Sequence, residues 1–381
     1  MSTEKTAPSP AAMGGPRESG SPGEDSHPEA YLEAYPEAVR DRNRWVVERR
    51  GARVPVDPRR PAGWLVETEP DGEGREIPIL TVFLTNRECP WRCVFCDLWK
   101  HTLERRVGPG DLAAQWEVAS GDEAVREARP RWVKLYNAGS FFDPGAIPGG
   151  EWASLAERVR GFDRVIVESH PRWIGDRVWR WRDLLRQGRG GAEGGGAELE
   201  VAMGLETANP AVLERLNKGV TLDGFRRAAS ALRREGVALR VFVLVQPPFE
   251  EPSETVAWAV RSAAFAFECG AGVVSLIPVR PGNGALEALQ RLGQFTAPRL
   301  GALEQAWEGV HRLGRGRVFA DLWGLETFRR CSPCFDRRLE RLAGMNRSQA
   351  PGWAGHCASC GDEWGGREKS TAGIAGSGGG W

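Results

Sequence analysis

Six short runs of apolar, mostly β-branched residues punctuate the middle of the chain: ILTVFLT (79–85), WVKLY (132–136), RVIVE (164–168), LEVAMGL (199–205), LRVFVLV (239–245) and GVVSLIP (272–278). Segments with helical spacing lie between the later runs, among them EWASLAERVRG, RVWRWRDLLRQ, DGFRRAASALRREG and SETVAWAVRSAAFAFECG. The last two open near an Asp or Ser and end at Gly, residues that start and stop helices. From the second run onward the strands recur every 32 to 40 residues, the length of one strand–helix unit. Near-continuous apolar strands covered by helices predict an all-parallel sheet. Six units are too few to close an eight-stranded barrel. An open doubly wound sheet and a partial barrel both satisfy the pattern; where the chemistry falls favours the barrel.

The flanks read differently. Residues 1–38 are rich in Pro, Gly, Ser and Glu and bury too little apolar area to offset ordering, so an acidic disordered head is expected. Residues 39–78 form a basic N-terminal extension, 79–285 the α/β core, 286–366 a helical and four-cysteine region, and 367–381 a flexible tail. GRGGAEGGG (188–196) is expected to be a Gly-rich surface loop. No apolar run approaches the roughly 18 residues of a membrane span, and the first 30 residues lack a signal-peptide core. The expectation is a protein with no membrane segment; the sequence leaves its oligomeric state open.

Composition changes this picture little. The 381 residues carry 51 basic and 51 acidic side chains, and only five of the cations are lysine. That Arg bias, with 48 Gly, 26 Pro and 16 Trp, fits G- and C-rich codons. The zero net charge hides segregation. Residues 39–60 hold eight Arg against three acids, and 324–360 hold six Arg against three, while 16–37 balance them with six acids against Arg17. Two basic stretches flanking the core suit phosphate contacts, although Arg-rich solvated faces are also what this composition produces throughout.

Cysteine placement is sharper. Seven of the eight lie in tight groups: Cys89, Cys93 and Cys96; Cys331 and Cys334; Cys357 and Cys360. Thiols three or four apart suit metal or cluster ligation better than a disulfide framework and predict a reduced, cytoplasmic metalloprotein. Cys269 reads as a buried small hydrophobe. The first group, C-x3-C-x2-C, follows the first strand directly, on the side of a parallel barrel where active sites gather. Three thiolates can each bind one iron of a 4Fe-4S cube and leave the fourth open to another ligand. Zinc, held by the three Cys and His101 or a distant residue, is the alternative. The second group, two C-x2-C knuckles separated by 22 residues, can complete a four-thiolate site unaided. It holds zinc or an auxiliary iron–sulfur cluster, and serves either as a staple for the C-terminal segment or as a grip on RNA.

The loop T-N-R-E-C-P-W-R-C-V-F-C-D-L-W (85–99), with Phe95 just before the third Cys, resembles the signature of the radical S-adenosylmethionine superfamily. The resemblance implies a partial (βα)6 TIM-like barrel, with Cys89, Cys93 and Cys96 holding a 4Fe-4S cluster whose open iron chelates S-adenosylmethionine. It further implies reductive cleavage to a 5′-deoxyadenosyl radical that abstracts hydrogen from substrate, fed by an electron donor such as a flavodoxin or ferredoxin. YNAGSFFD (136–143) sits where the family holds the methionyl amino group, which points to Asn137, Gly139 and Ser140, although NAGS replaces the commoner GGE or GGT. Glu168, ending the third strand, falls where related enzymes place a polar cofactor contact; His170 beside it reads as a loop histidine. MGLETANPAVLERLNKGVT (203–221) resembles the branch containing the Elongator catalytic subunit and coproporphyrinogen dehydrogenase. By that likeness Glu206 binds the cofactor and Lys218 meets its carboxylate. VFVLVQPP (with Gln246) and SLIPVRPGNG (with Ile277) correspond to segments touching ribose and adenine.

NRECPWRC, KLYNAGSFFD and GLETANP…LNKG are also similar, more weakly, to the archaeosine-synthase radical partner family, which acts on a modified 7-deazaguanine base in tRNA. The likeness covers about residues 79–285. It leaves three readings: a radical enzyme modifying a tRNA nucleoside, the same chemistry on a small metabolite or peptide, or a non-catalytic zinc-binding adaptor.

Overall fold

The computed structural model describes residues 33–187 and 196–365. Most of the expected acidic head, nearly all of the Gly-rich loop and the whole C-terminal tail lie outside the described residues.

One sheet organises the chain. Its strands are β1 (Gly63–Pro70), β2 (Glu76–Leu84), β3 (Trp132–Asn137), β4 (Arg164–Ser169), β5 (Glu198–Glu206), β6 (Ala238–Val245), β7 (Val273–Pro278) and β8 (Arg317–Ala320). They stand in strictly sequential order, so the sheet curls into a half-barrel with β1 and β8 as its edges. The six runs predicted from the sequence are β2 to β7, parallel throughout. The structure adds two strands. β1 pairs antiparallel with β2 through a hairpin whose turn is held by Asp71, which accepts hydrogen bonds from the Glu73 and Arg75 amides. β8 joins β7 in parallel and is only four residues long, too short for a periodicity signal.

The two faces of the sheet divide the chemistry. Leu80, Val82 and Leu84 of β2, with their counterparts Val133, Leu135, Val241, Val243 and Val245, form the outer core with helical residues such as Trp116, Trp181, Phe225 and Trp307. The inner face is only partly apolar. Ile77, Ile79, Trp132, Ile166 and Ala202 cluster there. Beside them runs a buried ion network: Arg240 bonds Glu69 at 2.7 Å and Glu200 at 2.7 Å, Arg164 reaches Glu200 at 3.1 Å, and Lys134 holds Glu67 at 2.8 Å and also Glu69. Every charge in it has an opposite neighbour, the condition under which buried ions are tolerated.

The open side between β1 and β8 is spanned at its base, where Arg317 Nη1 donates to Pro70 O at 2.5 Å. The helix Ser332–Ser348 covers the free edge of β8. Asn346 accepts from the Ala320 amide and donates to its carbonyl, both at 2.8 Å. Gln349 does the same at Val318, at 2.9 Å each way. Two side-chain amides thus stand in for a ninth strand. Tyr35, within the segment expected to be disordered, is buried against Trp45, and its hydroxyl donates to Arg215 O at 2.8 Å. Among the described residues no helix is long and apolar enough to cross a membrane.

Candidate active site and second thiol centre

The first cysteine loop leaves β2 at the C-terminal mouth of the half-barrel and is fastened by loops from distant strands. Val94 N donates to Leu216 O at 3.1 Å, Asn217 Nδ2 to Arg92 O at 2.9 Å, and Asn283 Nδ2 to Val94 O at 2.8 Å. Asn217 adopts φ +59° to do so. Cys93 is buried, while Cys89 and Cys96 are half-buried. Burial raises all three thiols, Cys93 up to about 12, with Lys218 opposing that rise at Cys93.

The segment after β3 presses on this loop. Gly139 has φ +122°, and a Cβ there would lie 2.4 Å from Cys89 Cβ, so only glycine lets the two backbones meet. Asn137 is buried with neither amide atom partnered, and Asn86 Oδ1 nearby is likewise unpartnered. Ser140 Oγ lies 3.3 Å from Ser169 Oγ and accepts from His170 N.

Opposite stand three ionisable side chains. Glu206 sits at φ +69° where the β5–β6 register slips, and its carboxylate bonds Lys218 Nζ. A Cβ at Gly204 would fall 2.0 Å from that Nζ, so the bare backbone gives the lysine its path. Burial alone would lower the Lys218 pKa, but Glu206, Cys93 and Glu168 outweigh it and raise it, keeping the ammonium charged. Glu168, half-buried, is pushed up to about 8 by removal from water, with Lys218 opposing and Glu206 adding to the rise. Ile277 is half-buried on β7. The fold therefore sets Gly139 against Cys89, and Lys218 with Glu206 within electrostatic reach of Cys93, while Glu168 faces Lys218; Gln246, at φ +59°, follows the neighbouring β6.

Two further residues matter here: Trp91, which sequence reasoning passed over, and His170, which it read as a loop histidine. The His170 ring stacks on Trp91, between Cys89 and Cys93, with centroids 3.6 Å apart and planes within 11°. Its Nδ1 accepts from Arg172 N, so Nε2 carries the proton and donates to Lys218 O at 3.0 Å. Burial drives its pKa down to about 3, which keeps the ring neutral, and the two hydrogen bonds select the tautomer. His170 ties the cysteine loop to the lysine backbone. Its proximity to a strand end was the available signal, with nothing to mark Trp91 as its partner.

The second thiol group is self-contained. Cys331 and Cys334 occupy the N-cap and first turn of helix Ser332–Ser348, and Cys357 and Cys360 lie on a turn between the short strands Gly355–His356 and Glu363–Trp364. The four sulfurs lie within 4.8 Å of one another, with Cys331–Cys357 at 3.7 Å and Cys334–Cys360 at 3.8 Å. Trp364 packs on Cys334 and Cys357. Arg338 links Glu304 to Asp362, and Arg341 bonds Trp353 O and Glu308, so the thiol turn is tied to the helix Leu300–His311.

No protein-family model matches the chain. The solved structures it superposes on include radical S-adenosylmethionine enzymes, all at low similarity. Coproporphyrinogen III oxidase of Escherichia coli, a radical SAM enzyme, superposes with TM-score 0.40 and 14% identity over 62% of this chain and 51% of its own. Methylornithine synthase gives 0.47 and 14% identity, over 68% of this chain and 69% of its own. Among curated relatives, the archaeosine synthase subunit beta of Methanosarcina acetivorans is 27% identical over 241 residues, 60% of this chain and 65% of that subunit, just under two thirds of its length. An uncharacterized protein of Methanocaldococcus jannaschii is 22% identical over 283 residues, 69% of this chain and 75% of its own.

Proposed function

We propose that the protein is a radical S-adenosylmethionine enzyme that modifies a tRNA nucleoside. One observation carries the reading: three thiols at the mouth of a parallel half-barrel meet a Lys218–Glu206 pair and an Asn137 whose buried amide lacks partners. The donor set fits the cofactor. Three cysteines leave one iron of a 4Fe-4S cluster free, and the cofactor's amino-acid end needs one cation and one anion. Lys218 would hold the carboxylate; Asn137, Ser140 and Glu206 would hold the polar groups, with Ile277 against the adenine. When bound, the cluster and cofactor supply the one-electron chemistry that removes hydrogen from substrate.

The chain's own residues orient and seclude. Gly139 sets the close approach to Cys89, His170 keeps Trp91 and the Lys218 backbone in register, and the sheet walls exclude water. An electron donor such as a flavodoxin or ferredoxin would reduce the cluster. The four-thiol site is read as zinc: tetrahedral thiolates at about 2.3 Å from zinc lie about 3.8 Å apart, matching the two close sulfur pairs. The tRNA assignment rests on the archaeosine synthase relatives and the basic flanks.

Anaerobic reconstitution with iron, sulfide, reductant and S-adenosylmethionine tests this. Expected are iron and sulfide at the three-cysteine loop, one zinc, and release of 5′-deoxyadenosine. A colourless protein holding only zinc and releasing none would sink it, and would favour an adaptor.

A further inference from the structure

The interior of the half-barrel has an aromatic side. Phe83 of β2 alternates with Thr81 and Ile79 and so faces inward. Tyr136 of β3 and Phe242 of β6 meet edge to face across the interior, with centroids 6.0 Å apart. All three rings are half-buried, whereas the ion network below them is closed. At the mouth, just after β8, Trp323 is 48% exposed. Its ring leans on Phe83 at 6.0 Å, although β2 and β8 lie near opposite ends of the strand order. The Trp323 backbone is anchored, since its amide donates to Asp321 Oδ1 at 3.0 Å and Asp321 Oδ2 accepts from Arg280 at 2.8 Å.

An exposed tryptophan on a fixed backbone, backed by a phenylalanine, is costly to leave wet and well suited to stacking. Every unsaturated base offers a flat π-face to such a ring, and the sequence-tolerant gain in single-strand binding comes from that contact. An aliphatic substrate would use none of this planarity.

We infer that the half-barrel takes a flat heteroaromatic ring, a nucleobase or its close analogue, with Trp323 as the stacking platform and Phe83 as its support. The inference deepens the reading above and rests on it. Trp323 is a positioning residue: it sets where the ring lies and takes no part in bond making. Tyr136 offers its hydroxyl to the same interior from β3.

The probe is 2-aminopurine riboside, whose fluorescence is quenched when the ring stacks, titrated into the reconstituted protein. Saturable quenching is expected, weakened about 10-fold or more in Trp323→Ala. Trp323→Phe should recover most of it, because the flat face is restored. Raising the salt should leave the affinity unchanged, since the ring carries no charge. Equal affinity in Trp323→Ala, or no saturable quenching up to the solubility limit, overturns the inference. An unchanged thermal midpoint in Trp323→Ala separates lost stacking from lost folding. Dithionite-driven release of 5′-deoxyadenosine is measured on the same samples. If that release persists while quenching fails, the stacking site is wrong and the enzyme reading stands. If release is absent from the parent protein, the enzyme reading fails whatever the titration shows.

Discussion

Cys331, Cys334, Cys357 and Cys360 bring four sulfurs within 4.8 Å of one another using one helix turn and one hairpin. Cys89, Cys93 and Cys96 sit closer together in sequence, yet their loop is shaped by Leu216, Asn217 and Asn283, which arrive from the far ends of β5 and β7. The closed site is a local product of two knuckles. The open one exists only when the barrel is folded around it. Metal binding at the first would therefore be folding free energy for the C-terminal segment, whereas the second borrows its geometry from the scaffold around it.

The strongest way to break this contrast is to remove thiols from each side. Cys331→Ser or Cys357→Ser should release the four-thiol metal and expose residues 331–365 to limited proteolysis, with a stability loss of several kcal/mol, since structural zinc contributes about 10–16 kcal/mol to small zinc-dependent folds. Cys93→Ser should abolish iron binding with a thermal midpoint close to the parent's. Equal destabilisation by both would end the distinction between local and borrowed sites.

A smaller effect sharpens how the closed site reaches the sheet. Asn346→Ala or Gln349→Ala removes a pair of hydrogen bonds to β8 and should cost about 1–3 kcal/mol. Amide exchange should quicken at Ala320 or Val318 respectively, and the metal content should stay unchanged. Slow exchange at both amides in the double variant would show that something else covers this edge.

A dependence on pH tests the open site at Glu168. Its folded pKa, about 8, stands above the ordinary 4.5, so between these values the folded form holds a proton that the unfolded form has lost. Stability from this group is present below about pH 4.5 and declines as pH rises through 8. In cofactor-free protein Glu168→Gln should flatten that part of the curve; an unchanged slope would assign it to other groups.

How far the sequence reached follows the same division. β2 to β7 were legible because buried parallel strands write continuous apolar runs. β8 was invisible at four residues, and β1 was masked by the alternation of GWLVETEP, whose two glutamates face Lys134 and Arg240. The inner-face network escaped because Lys134, Glu200 and Arg240 are dispersed single charges until the curl unites them. At the site, the cysteine spacing and GLETANP…LNKG named residues that the fold sets side by side, Gly139 against Cys89 and Lys218 against Glu206. The Trp91–His170 stack and the Asn217 clamp belong to tertiary contact and leave no local pattern.

The sequential strand order also has a meaning in time. Cys96 emerges from the ribosome roughly 235 residues before Cys331, on the order of 10–50 s earlier at the usual pace of synthesis. Over most of that interval β2 to β7 can assemble neighbour by neighbour before the last strand and the helix that seals it are made. The three-cysteine loop and the six strands around it are therefore all made before the first of the four C-terminal thiols.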